Sequence, residues 1–364
     1  MSKFSIIYDS IKAGKTILGV GPMSRNCINA AIKIANTRKI PIILIGSRRQ
    51  IEARSLGGGY VDTTERFCRY VKKTDKENGK YVFLARDHGG PWQGGDEYDL
   101  SHEEAMNTAR ESYRVDIESG MDILHIDPSL KTRPASAIMR DIDDLMSFCL
   151  KESYNMIADR TDPIFEIGTE EHGDFTSDPT QFSDFARRYR LNSSFIVGNT
   201  GLWVKETRNV GRFDIEKTKE LVKVCNEHNL FLKGHNSDYI SDDTIQSINQ
   251  AGVHSINVAP EFGITETVEL FNTLENLGFH QYIEELFYIF YNSNKWKKWI
   301  MNDPISYNRS MLAIIAGHYN FNNPRVLEIK KDVRKRTGVS IDTICQWQVK
   351  RRIERYLDNL GWTE

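Results

Sequence analysis

Eight strand–helix units closed into a barrel, followed by a helical extension, are what this sequence predicts. Three observations carry that reading. Short β-branched runs alternate with amphipathic helical stretches over the first three-quarters of the chain. The runs are nearly all apolar, as strands are in a parallel sheet covered on its outer face. Eight such units recur a few tens of residues apart, which fits the repeat number and roughly 250-residue length of a (β/α)8 TIM barrel. The competing arrangement is a doubly wound open sheet, since periodicity alone does not show closure.

The elements follow in order. After an amphipathic lead-in from Phe4 to Ala13, strands are predicted at 16–21, 41–45, 81–86, 122–127, 163–168, 194–198, 230–234 and 255–259. Helical patterns fall at 24–37, 101–119, 135–154, 214–228, 242–251 and 261–276. Each strand ends in a Gly, Pro or polar loop. Gly19-Val20-Gly21-Pro22 after the first strand lacks the third glycine of a dinucleotide-binding turn. The third strand runs into Arg86-Asp87-His88-Gly89-Gly90-Pro91, where Gly and Pro are expected to end it. Barrel closure near Gly278 divides the chain into a barrel domain, 1–278, and a helical extension, 279–364, packed on the barrel or on a neighbouring subunit. Ile283, Leu286, Phe287, Phe290 and Trp296 give the extension an apolar stripe, and a last helix spans about 340–360.

Composition removes several classes of function. With 48 Lys+Arg against 50 Asp+Glu in 364 residues, net charge is -2, so no global field points to nucleic acid or an anionic membrane. No apolar run approaches the roughly 20 residues of a membrane span, and the first residues lack a signal-peptide core. A cytoplasmic location is expected. The five cysteines are widely spaced without a C-x-x-C pattern, which argues for buried thiols rather than a disulfide scaffold.

In such a barrel the strand C-termini converge on one mouth, so their residues belong together. An isolated Asp-His pair is no more than a loop hydrogen bond. Asp87-His88, however, shares the mouth with Ser24, with His125 and Asp127, with Glu166, Glu170 and His172, with Asn199, with Asn236, Ser237 and Asp238, and with Asn257. Histidine and carboxylate groups at adjacent strand ends suit a divalent metal of borderline hardness, zinc above all. His88 and His235 follow apolar runs directly and are the leading ligands, with Glu170 or His172 as the third. Asp87 moves a proton, with Glu170 as a second catalytic carboxylate. Ser24, Asp127, Asn199, Asn236, Ser237, Asp238 and Asn257 are the candidate substrate contacts. Gly234 with Asn236-Ser237, and Asn257-Val258-Ala259, lie where barrels bind phosphate through backbone N–H groups, with Arg86, Lys233 and Arg48-Arg49 as cationic helpers. Gly57-Gly58-Gly59 marks a flexible or close-approach loop.

Taken together, Gly57-Gly58-Gly59-Tyr60, Asp87-His88-Gly89-Gly90-Pro91, His125-Ile126-Asp127, Glu166-Ile167-Gly168-Thr169-Glu170, His235-Asn236-Ser237-Asp238-Tyr239 and Trp296-Lys297-Lys298 resemble the class II D-tagatose-1,6-bisphosphate aldolase family, its non-catalytic-subunit type in particular. The resemblance spans most of the chain and implies the barrel fold. It implies Asp87 as the proton-transfer carboxylate, His88 and His235 as zinc ligands and Asn257 as a substrate contact. Gly198-Asn199-Thr200-Gly201 stands where the catalytic subunits carry a zinc-binding histidine, and Pro260 where they carry a phosphate-contacting threonine.

Two expectations follow. One is a metal-dependent lyase that reversibly cleaves a C–C bond of a phosphorylated ketose or related sugar through a metal-stabilised enediolate. The other is a stabilising subunit whose partner is a catalytic aldolase subunit; an epimerase or isomerase on the same barrel is a further option. In either case an oligomer is expected, with a small sugar or sugar phosphate as ligand and neither nucleic acid nor membrane as partner.

Overall fold

A computed structural model of the chain describes residues 3–156, 163–168, 175–191 and 193–363. Eight parallel strands close into a barrel: β1 (Ile17–Val20), β2 (Ile42–Ser47), β3 (Val82–Gly89), β4 (Ile123–Ile126), β5 (Ile164–Ile167), β6 (Phe195–Val197), β7 (Phe231–Gly234) and β8 (Ser255–Val258). Each strand pairs with its neighbours in sequence, and β8 returns to β1 with Ile17 opposite Ser255. The predicted (β/α)8 barrel with C-terminal helices is therefore the fold.

Strand alternation divides the side chains between two faces. Leu18, Val20, Ile42, Leu44, Leu84, Leu124, Phe165, Ile196, Leu232 and Ile256 point outward into one large core beneath the helices. The inward set at the lower end is Ile17, Ile43, Ile45, Phe83, Ala85, Ile123 and Phe195, a separate apolar cluster. Helix α1 (Ser5–Lys12) plugs that end, with Phe4 stacked 6.0 Å from Phe83 and Tyr8 5.5 Å from Phe231. Burying each such side chain stabilises by about 1.5–3 kcal/mol. Two residues further up the same inward rows stand Asp87, His125, Glu166, Lys233 and Asn257, all buried. The barrel interior is thus apolar below and polar above.

Strand β3 departs from expectation. It does not end at Arg86 but continues through Gly89, and its register against β4 slips between Arg86 and Gly89. Such a bulge turns consecutive side chains toward the same end of the barrel. Its strain is visible at His88, whose φ of 44° lies in the left-handed region. Gly89 is required beside it, because a Cβ there would stand 2.4 Å from Tyr113 Oη and 2.6 Å from the His125 carbonyl oxygen.

Around the barrel lie α2 (Arg25–Arg38), α3 (Thr64–Thr74), α4 (His102–Ser119), α5 (Ala135–Met156), α6 (Pro179–Tyr189), α7 (Ile215–Glu227), α8 (Asp242–Gln250) and α9 (Pro260–Asn276). The C-terminal segment adds α10 (His280–Asn292), α11 (Arg309–Ala316), α12 (Pro324–Thr337) and α13 (Ile341–Asn359). Leu270, Phe271 and Leu274 of α9 share a second core with Leu286, Phe290, Leu312, Val326 and Ile329. Helix α13 returns to the barrel, where Val349, Ile353, Tyr356 and Leu357 join the large core.

Candidate metal centre and substrate mouth

The polar layer converges on one point. Asp87, His125, Glu166 and His235, from the ends of β3, β4, β5 and β7, bring one donor atom each to within 4.8 Å of the others, and all four are buried. His125 Nδ1 stands 3.8 Å from Asp87 Oδ1 and 3.6 Å from Glu166 Oε1. His235 Nε2 stands 3.8 Å and 3.4 Å from the same two oxygens. Donors held at about 2.1 Å in a tetrahedral zinc site are about 3.4 Å apart, so these spacings suit joint ligation better than mutual hydrogen bonding. Two imidazole nitrogens with two carboxylate oxygens can hold a divalent ion of intermediate softness.

Neighbours fix each donor. Lys233 Nζ takes Glu166 Oε2 at 2.6 Å, which leaves Oε1 to the cluster. Asn257 Nδ2 donates to Asp87 Oδ1 at 3.1 Å. The His88 backbone N–H donates to His125 Nδ1 at 3.2 Å, so Nδ1 is unprotonated, and an ion bound there would take the lone pair from that N–H. The other ring nitrogen, Nε2, is buried with no hydrogen-bond partner among the described residues, and it faces Gly168, where a Cβ would stand 2.9 Å away. Burial works against the ionised form of Asp87, but His88, His125 and His235 outweigh it and hold the carboxyl far below the usual range. Glu166 is likewise opposed by burial yet lowered to about 2 by Lys233, His125 and His235.

His88 lies at the mouth rather than in the four-donor cluster. Its Nδ1 is 3.0 Å from Asp127 Oδ2, and its Nε2 is 3.8 Å from Asp87 Oδ2. Asp127 is in turn held by Gln93 Nε2 at 2.9 Å and by Ser129. Above the cluster opens a cavity of about 310 Å³, at the small end of the roughly 300–1,000 Å³ of ligand pockets. Asp87, His88, His235, Asn236, Asp238 and Asn257 line it from the barrel, and Trp299, His318 and Tyr319 from the C-terminal segment.

The other residues singled out by sequence are distributed as follows. Ser24 caps α2 by accepting from Cys27 N–H and donates to Glu266. Asn199 Oδ1 accepts from Gly201 N–H. Ser237 is fully buried, its carbonyl accepting from Tyr356 Oη at 2.9 Å. Asp238 reaches the N-terminus of α9, where Oδ1 accepts from Ala259 and Glu261 N–H, both at 2.9 Å. Burial raises its pKa to about 8, with the Glu261 charge adding to it. Glu170 and His172, with Thr169 and Glu171, lie outside the described residues. Of the expected cationic helpers, Arg86 faces outward to Asp116, Arg48 is paired with Glu52 and Glu97, and Lys233 is engaged by Glu166; Arg49 alone of that group lines the cavity.

His125 and Glu166 stood among the strand-end residues in the sequence without being singled out as ligands. A signal was present. Each is a lone ionisable residue inside an apolar strand, two positions above an isoleucine, Ile123 or Ile164, in the same row.

No protein-family model matches this sequence, and no curated protein matches it. Solved structures do share its fold. A probable tagatose 6 phosphate kinase from Sinorhizobium meliloti 1021 superposes with a TM-score of 0.75 at 16% identity, over 95% of this chain and 100% of that one. The fructose-bisphosphate aldolase of Campylobacter jejuni gives 0.54 at 15% identity, over 99% and 95%. The YdjI aldolase of Escherichia coli K12 gives 0.51 at 15% identity, over 90% and 94%. At these identities the likeness is one of fold.

Proposed function

We propose that this protein is a metal-dependent lyase of the aldolase type, which cleaves and reforms a C–C bond in a phosphorylated ketose or a related sugar. The observation that carries the reading is the convergence of Asp87, His125, Glu166 and His235 at the barrel mouth. The aldolases of like fold support it by analogy. In this reading the four side chains would hold an ion that can take a further ligand, with zinc the first choice for mixed nitrogen and oxygen donors, so that a position stays open to substrate. A divalent ion there supplies a Lewis acid that polarises a substrate carbonyl.

The remaining chemistry belongs to the chain. In the cleavage direction a base takes the proton of the hydroxyl β to the carbonyl, while the Cα–Cβ bond breaks and its electron pair passes toward the carbonyl. We assign that base to His88. Asp127 at Nδ1 holds one tautomer and leaves Nε2 to exchange the proton. Sequence alone favoured Asp87 for the task. Asp87, however, belongs to the four-donor cluster and accepts from Asn257, so its oxygens are engaged there rather than free to take a proton. Asn257 bonds to Asp87 and lines the cavity, so it joins substrate to cluster.

Elemental analysis after dialysis against zinc or manganese tests the reading. One equivalent of ion is expected in the native chain and a substoichiometric amount in His235→Ala and Glu166→Ala. A native protein that retains no divalent ion sinks it.

A second reading, the stabilising subunit of an aldolase complex, draws on one observation. The extension exposes Tyr288, Met301 and Ile305, the last 91% accessible, which is apolar surface available to a partner chain. Co-expression with a class II aldolase followed by size-exclusion chromatography separates the two readings: co-elution supports the subunit role, and independent elution of an ion-loaded chain supports the enzyme.

A further inference from the structure

Barrels of this kind often seat a phosphate at the helix N-terminus after the last strand. Here that seat is taken. Asp238 Oδ1 accepts from the N–H groups of Ala259 and Glu261, and the residue between them, Pro260, has none to give. A carboxyl oxygen from the chain itself occupies the anion position.

Cations gather instead elsewhere around the mouth. Arg49 from the loop after β2, Lys205 from the strand Val204–Lys205, and Lys298 from the C-terminal segment all line the same cavity. None of the three has a carboxylate partner among the described residues. Lys205 Nζ lies 5.0 Å over the Trp203 ring, and Lys298 Nζ lies 4.6 Å over Trp299 and 5.4 Å over Tyr319, so aromatic faces position both lysines without neutralising them.

An independent feature points to a ligand in the same place. His318 lines the cavity and is 2% exposed, and neither ring nitrogen has a hydrogen-bond partner among the described residues. A buried polar group left unpaired costs about 1–3 kcal/mol. The fold nevertheless brings it there through close backbone contact. Gly263 of α9 touches the His318 side chain, where a Cβ would stand 2.7 Å from His318 Cβ, and Gly317 abuts Thr267 in the same way. The wall is tied to the mouth on both sides: Asn322 Nδ2 donates to the Val61 carbonyl at 2.8 Å, and Glu206 N–H to the Trp299 carbonyl at 2.9 Å.

We infer that Arg49, Lys205, Lys298 and His318 form the seat for the phosphate monoester of the substrate, so that the C-terminal segment supplies half of the binding site. The inference deepens the reading above and rests on it. The carbonyl end of the sugar lies at Asp87 and His235 and the phosphate at the cationic wall. His318 is neutral there, since burial and the nearby Lys298 charge lower its pKa to about 3, and it donates one N–H to a phosphate oxygen.

The test is calorimetric titration of EDTA-treated full-length protein with inorganic phosphate at low ionic strength. Saturable one-to-one binding is expected. It should weaken about ten-fold or more in Lys205→Ala/Lys298→Ala, several-fold in His318→Leu, and not at all in His280→Ala, an exposed residue outside the cavity lining. Lys298 is exposed, so Lys298→Ala alone serves if the double variant does not fold. Absence of saturable phosphate binding to the native chain, or equal affinity in the lysine variants, overturns the inference. Ion content measured on untreated samples of the same proteins, dialysed against zinc, keeps the two readings apart. Phosphate binding without a retained ion sinks only the metal reading, whereas a retained ion with phosphate affinity indifferent to the lysines sinks only this one.

Discussion

Lys233 Nζ lies 2.6 Å from Glu166 Oε2 inside the barrel, both side chains 1% exposed, and this contact decides which oxygen of Glu166 meets the histidines. A buried pair of this kind is poor evidence for net stability, because desolvation offsets most of the attraction. Its consequence is orientation. Lys233→Met leaves Glu166 uncompensated and free to rotate, and partners that orient ligands typically change metal affinity by 10–100-fold. A zinc dissociation constant raised by about that factor, measured by competition with a chromophoric chelator, is the expected result; unchanged affinity would show that Lys233 only fills space.

The Asp127–His88 contact leads to a different readout. Asp127→Asn keeps the size of the side chain but removes the charge that favours one tautomer of His88. If His88 exchanges the proton, kcat falls about 100-fold with KM little changed, since positioned acid–base groups contribute about 10²–10⁴. Bound ion stays at one equivalent because Asp127 is outside the four-donor cluster. Loss of the ion in Asp127→Asn would instead return His88 to the ligand set that the sequence alone suggested.

These two contacts show where the sequence was legible. Eight apolar runs ending in polar loops were enough to predict eight strand–helix units, because alternation and loop chemistry are local properties, whereas closure rested on their number and on the chain length. Asp87 and His235 were visible for the same reason, both standing at the ends of apolar runs, Asp87 read as the proton-transfer carboxylate and His235 as a ligand. His125 and Glu166 were harder, since which face of a strand a residue occupies depends on register, and register is a property of the closed sheet. The bulge at Asp87-His88 was misread for a physical reason. Gly89 and Gly90 resemble a strand end, but Gly89 is demanded by the close approach of Tyr113 and the His125 backbone. The cationic wall was the least legible feature, as it joins Arg49 to Lys298 across most of the chain.

The glycine contact behind that wall is open to a direct trial. Gly263→Ala places a methyl group 2.7 Å from His318 Cβ and 2.9 Å from Cγ, so the segment Gly317–Asn320 has to move away from α9. Overpacking of this sort destabilises by about 1–3 kcal/mol. A lowered denaturation midpoint together with weakened phosphate binding is expected, because His318 and Tyr319 leave the mouth together. If stability drops while phosphate affinity holds, the segment supports the fold without contributing to the seat.

Acid sensitivity comes from a site remote from the mouth. His254 is 7% exposed, its ring 5.2 Å from Phe231, and its Nδ1 accepts from Leu232 N–H at 2.8 Å. Burial lowers its pKa from the usual 6.5 to about 4. The unfolded chain therefore takes up a proton near pH 6.5 that the folded chain refuses until about pH 4. The folded-state advantage is complete above the unfolded value and is lost as pH falls through that window, at a limiting slope of about 1.4 kcal/mol per pH unit. His254→Gln removes the titration. Urea denaturation at steps between pH 7 and 4 should show the native chain losing up to about 3 kcal/mol relative to the variant. Parallel stability curves for the two proteins would mean that His254 does not set the acid limit.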